Sequence, residues 1–159
     1  MVDSYLLLKT IHIIGAVIFL GNLVITGWWK LMANKTDNPV IIAFAQKQVT
    51  LTDFVFTTGG STILLITGLA NIKLHGISIT GTVWIYWALV LFTLSGIIWI
   101  TILIPLQIKQ ANEAKTFTDQ TKISSEYWHR EYLWICWGIL ATILPLASII
   151  LMVTGINPN

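Results

Sequence analysis

The run T-I-H-I-I-G-A-V-I-F-L-G-N-L-V-I-T-G-W-W, residues 10–29, decides the fold. It holds 20 residues without a formal charge, and a helix of that length spans about 30 Å, the thickness of a bilayer's hydrocarbon core. Only helices and closed barrels satisfy their backbone hydrogen bonds in lipid, and an apolar run this continuous is helical. One ionisable side chain, His12, lies inside the run, and Lys9 precedes it by one helical turn. Ionisable groups are costly in hydrocarbon, so these two are the first candidates for a functional site.

Three further runs follow. The second is apolar from Phe54 to Ile72, the third extends from about Thr82 to Ile108, and the fourth from about Tyr132 to Val153. The expected architecture is all-α: an integral membrane four-helix bundle in a single domain, 1–159, with helices over about 5–33, 39–72, 82–108 and 130–155. The whole composition agrees. Of 159 residues 55% are hydrophobic and 10% charged, with mean hydropathy +0.78, whereas a soluble domain carries about a quarter charged residues. The formal net charge of +2 is too small to imply a nucleic-acid partner. The lipid bilayer is the partner that the composition demands, and a homodimer is compatible with so small a bundle.

Connections set the neighbours and the sidedness. The first, Asn34 to Asn38, is short, which makes helices one and two antiparallel neighbours, and Asn38-Pro39 reads as an N-cap followed by proline at the first helical position. Helix two then outruns the membrane, and its start, with Val40, Phe44, Gln46 and Lys47, suits an amphipathic, turn-rich extension at the interface. Gly59-Gly60 is placed to bend it on entry. Lys109 to Glu131 reads as a loop, mobile or partly helical. Lys30, Lys35, Lys47, Lys109, Lys115, Lys122 and Arg130 fall on one side and Lys9 and Lys73 on the other. The positive-inside rule therefore puts both termini outside (N-out/C-out) in a multi-pass membrane protein, with the two lysine-rich loops in the cytoplasm. Asp3 stands where a cleavable signal would be basic, so the first run is expected to remain as a span.

Small and polar residues at helical spacing mark the faces expected to point inward. They are Lys9, His12, Gly15, Phe19, Asn22 and Thr26 on helix one, and Asp53, Thr57, Gly60, Leu64, Gly68 and Asn71 on helix two. Thr82, Tyr86, Thr93, Gly96 and Gln107 mark helix three, and Trp134, Gly138, Ala141, Pro145, Ser148 and Met152 mark helix four. Ordinary small-residue packing accounts for most of these stripes. His12 has three readings: a neutral histidine bonded across helices, an axial ligand to heme iron, or a proton relay. The heme reading uses Gly15 and its neighbours as room for a flat macrocycle, with Tyr86, Ser148, Met152 and Gly68 at similar depth. Lys9 either neutralises a propionate or snorkels to the interface. His75 is a solvated loop residue unless its loop folds down as a second axial ligand, and Met152 is the alternative sixth ligand or simple packing.

The remaining polar residues have plainer expectations. His129 joins Glu126, Arg130 and Glu131 in an interfacial charge cluster. Asp53 reads as an ion pair with Arg130 or Lys109, and Cys136 as a small buried hydrophobe that excludes an internal disulfide. No H-E-x-x-H, Walker-type loop, C-x-x-C or nucleophile elbow occurs.

Several short motifs, Lys9-x-x-His12, Phe19-x-Gly21, Thr52-Asp53-Phe54-x-Phe56-Thr57, Thr67-Gly68 and Pro105-Leu106-Gln107, together resemble a bacterial family of predicted integral membrane proteins over nearly the whole chain. More distantly, K-x-x-H followed by an aromatic and a glycine is similar to two groups. These are the membrane four-helix protoporphyrinogen oxidase of heme synthesis and the copper-resistance D family. The first resemblance implies that His12 matches a heme-liganding histidine. The chain departs from the oxidase in having Phe19 where tryptophan is usual, and no basic residue within helix three. Three functions follow as expectations: a b-type heme protein for electron transfer (to a protein redox partner or quinone) or diatomic gas sensing, a porphyrinogen oxidase, or a cofactor-free assembly subunit or small transporter.

Overall fold

A computed structural model describes residues 4–155; Asp3 and the signal-peptide reading attached to it lie outside them. Four long helices emerge: α1 (Ser4–Asn34), α2 (Pro39–Leu74), α3 (Val83–Ala114) and α4 (Ser125–Thr154). Each is long and apolar enough to cross a membrane. Their outward faces carry unpartnered aliphatic side chains such as Val17, Ile66, Ile100 and Val153, the pattern of a surface solvated by lipid instead of water.

The turn between α1 and α2 forms as its sequence dictates. Asp37 takes the left-handed conformation, at φ 48°, which Asp tolerates better than most residues. The Asn38 side chain then accepts from the backbone N–H groups of Val40 and Ile41, with Pro39 at the first helical position. The start of α2 is regular helix and not a turn-rich extension. It buries Ile42, Ala45, Gln46 and Val49 against α1 and the last turns of α3.

Two π-helical turns interrupt the α geometry, Asp53–Thr57 in α2 and Trp99–Leu103 in α3. The first falls one turn ahead of Gly59-Gly60, where the sequence pointed to a bend. Gly60 itself serves a close approach. A Cβ there would lie 2.9 Å from the backbone nitrogen of Phe19, so only glycine lets α1 and α2 touch at this level.

The helices associate as two pairs. Toward the termini α1 runs along α2 and α3 along α4, while the pairs have no close backbone approach to each other among the described residues. At the opposite end, under the 35–38 and 115–124 connections, all four helices meet. Hydrogen bonds stitch α3 to α4. Ser95 Oγ donates to the Ala141 carbonyl at 2.6 Å and Ser148 Oγ to the Ala88 carbonyl at 3.0 Å. These bonds set the inward face of α3, which buries Ile85, Ala88, Ser95, Leu103, Gln107 and Gln110. Tyr86 and Thr93, expected inward, are exposed. The small residues Ala88 and Ser95 win that face because they let α4 come within hydrogen-bond distance of the backbone. The helix also continues to Ala114, so Lys109 belongs to it, on the exposed side.

Candidate functional site

Splaying of the two helix pairs leaves a cavity of about 740 Å³ at the terminal end, within the range of small-molecule and cofactor sites. Its walls are aliphatic and aromatic, and its polar side chains include His12, Lys9, His75, Asn71 and Ser148; Met152 and Gly68 also line it. Two residues drawn into the site by sequence lie elsewhere. Gly15 is buried against Ile63 and the Gly60 carbonyl, where the space beside it is taken by α2. Tyr86 faces outward and meets Trp87 edge-on at 5.5 Å.

The orientation of His12 follows from its partner. Thr67 Oγ donates its one proton to the Ile63 carbonyl at 2.6 Å. The 2.9 Å contact between Thr67 Oγ and His12 Nδ1 is satisfied by the tautomer with its proton on Nδ1, Thr67 accepting. Neutral His12 then carries its lone pair on Nε2. Gly68 makes room for the ring, since a Cβ there would lie 3.1 Å from His12 Cε1. His75 repeats the arrangement. It caps the end of α2, and its Nδ1 donates to the Asn71 carbonyl at 2.8 Å, again leaving Nε2 as the lone-pair nitrogen. Its ring meets Tyr5 edge-on at 4.8 Å, and Lys9 lies 5.6 Å from the centre of the same Tyr5 ring. Met152 sits on α4 across the cavity. Among the described residues no three His, Cys, Asp or Glu side chains converge as a metal site would require.

A second cavity, of about 480 Å³, lies further toward the loop end. Phe19 and Phe92, with ring centres 5.8 Å apart, line both cavities and stand between them. Asp53 lines the inner one, and here the structure corrects the expected ion pair. Asp53 Oδ1 accepts from Asn22 Nδ2 at 2.7 Å and from Thr57 Oγ at 3.3 Å, and Oδ2 accepts from Gln107 Nε2 at 3.0 Å. Arg130 instead pairs with Glu113, which also accepts from Ser124, and Lys109 points outward. Buried carboxylates gather hydrogen bonds where they can, and the amides of Asn22 and Gln107 reach Asp53 from two other helices.

One turn nearer the loops lies a group that sequence reading assigned to the surface. Lys30 and Glu131, each 2% exposed, form an ion pair at 2.7 Å. Gln110 bridges them, donating to Glu131 at 2.6 Å and accepting from Lys30 at 3.2 Å. Asn34 donates to Glu131 at 2.8 Å, and Lys30 lies 4.1 Å from the centre of the Trp134 ring. Glu131 thus leaves the expected cluster around His129, which is exposed. Cys136, expected buried, is exposed on the outer face of α4. The one available signal was spacing: Lys30 continues the buried stripe of Asn22 and Thr26.

Residues 6–155 match the DUF2269 family, described as a predicted integral membrane protein. The chain belongs to that family. Four apolar spans over the same residues make it an integral membrane protein. No curated protein and no solved structure matches the chain, so the family membership stands without the more distant likeness to the porphyrinogen oxidase or the copper-resistance proteins.

Proposed function

We propose that this family member binds a b-type heme in its terminal-end cavity, with His12 Nε2 as axial ligand, and serves electron transfer or diatomic gas sensing. The observation that carries the reading is the 2.9 Å contact of His12 Nδ1 with Thr67 Oγ in the wall of that cavity. A histidine that donates Nδ1–H to a neighbour presents Nε2 as a ligand of set orientation, the usual arrangement behind metal-binding imidazoles. The surroundings fit a tetrapyrrole: apolar walls, a volume of about 740 Å³ and a lysine at the rim. Lys9 would meet a propionate, and His75 and Met152 are the candidates for the sixth position. The heme would supply one-electron chemistry or gas ligation, tuned by the axial ligands and the dry walls. The reading carries with it termini on the outer side of a bacterial cytoplasmic membrane, as the lysine distribution implies.

Absorption of the detergent-purified protein, oxidised and dithionite-reduced, with and without added hemin, tests this. A Soret band with sharp reduced α and β bands, lost in His12→Ala, is the expected result. A protein that stays colourless after hemin is added, or a spectrum unchanged in His12→Ala, overturns it.

A further inference from the structure

We propose that the inner cavity is a binding site for a lipophilic organic cation, recognised by Asp53 and by aromatic walls. Charge accounting comes first. Among the described residues the buried side chains of formally charged type are Lys30, Asp53 and Glu131, one cation against two carboxylates. Lys30 lies within electrostatic reach of Asp53, but its ammonium is held by Glu131 and Gln110. Asp53 is 4% exposed and hydrogen-bonded to neutral donors alone. Every one of those contacts is an N–H or O–H directed at a carboxylate oxygen, the pattern of an ionised acid. An ionised carboxylate in an apolar interior calls for a counter-charge.

The cavity walls say what kind of counter-charge fits. A small hydrated cation would need a ring of oxygen ligands, which hard cations require. The walls here are instead predominantly apolar, with Phe19, Phe92, Trp99 and Trp134 among them. Aromatic faces attract cations through their quadrupoles and hold weakly hydrated organic ones best. Both π-helical turns also border this space: Asp53 and Thr57 come from one, Trp99 and Leu103 from the other. Such turns recur at functional sites. A carboxylate, aromatic walls and two local departures from helix geometry therefore coincide at one place.

The test is calorimetric titration of the detergent-purified full chain with tetraphenylphosphonium, beside the neutral analogue triphenylphosphine oxide. Saturable binding of the cation is expected, with weaker binding of the neutral compound and a loss of about tenfold or more in Asp53→Asn. Gly96→Leu is a second variant that leaves Asp53 intact. A Cβ at Gly96, a cavity-lining position, meets nothing within 4 Å, so a leucine has room to start there and, by occupying cavity space, should also weaken binding of the cation. Equal affinity for the neutral analogue would make the cavity a plain apolar cleft and overturn the proposal. So would absence of cation binding, or binding unchanged in a folded Asp53→Asn or in Gly96→Leu. Heme spectra of Asp53→Asn should match the native protein, which keeps this test separate from that of His12.

Discussion

Lys30 shows what a single residue can hide. At the end of an apolar run, a lysine that snorkels to water and a lysine that pairs inside the bundle look alike in sequence. What distinguishes them is Glu131, placed beside Lys30 only by the docking of α4 against α1. Removing one member of a buried pair leaves the other charge uncompensated, at about 3–5 kcal/mol. Lys30→Met should therefore lower thermal stability in detergent sharply, and the Lys30→Met/Glu131→Met double variant should recover much of the loss. Melting curves followed by circular dichroism decide the matter. A Lys30→Met single variant as stable as the native protein would mean that the pair contributes little. The inward placement of His12 was legible for the opposite reason: an imidazole within an uncharged run has no bland surface explanation.

At the scale of elements, the four spans and the Asn38-Pro39 cap were readable because each rests on local chemistry, namely continuous apolarity and an N-cap followed by proline. The inward face of α3 was not. Its threonines and Tyr86 looked polar and therefore interior, yet in lipid a helix–helix contact selects small residues first. The π-helical turns also escaped, since a single i→i+5 turn has no compositional signature. Gly59 and Gly60, adjacent in sequence, give a clean contrast. A Cβ at Gly60 meets the backbone of Phe19, while one at Gly59 meets nothing within 4 Å. Gly60→Ala should destabilise by about 1–3 kcal/mol as the helices are forced apart. Gly59→Ala should be neutral or stabilising by up to about 1 kcal/mol from helix propensity. Equal melting temperatures for the two variants would deny the close approach.

For the whole molecule, the pairing of α1 with α2 and α3 with α4 joins short-range hairpin contacts at the loop end and leaves the terminal end open. That arrangement was not legible, because hydropathy fixes spans and says nothing of which spans separate. Sidedness is a matter for labelling. In a Cys136→Ser background, a cysteine placed as Ser78→Cys should react with a membrane-impermeant maleimide in intact cells. One placed as Thr116→Cys should react only after permeabilisation. The reverse pattern would invert the molecule and put the His12 cavity on the cytoplasmic side.

The two phenylalanine rings between the cavities differ in how closely they are packed. Phe19 is 5% exposed and its backbone is pressed against Gly60, so it is fixed from behind. Phe92 is half-buried on α3. The partition therefore has one tightly packed side, at Phe19, and one half-buried side, at Phe92. A guest in either chamber that pushes on Phe92 changes the room left in the other. Two compartments that share a wall of side chains can sense each other's occupancy without any movement of the helices that enclose them.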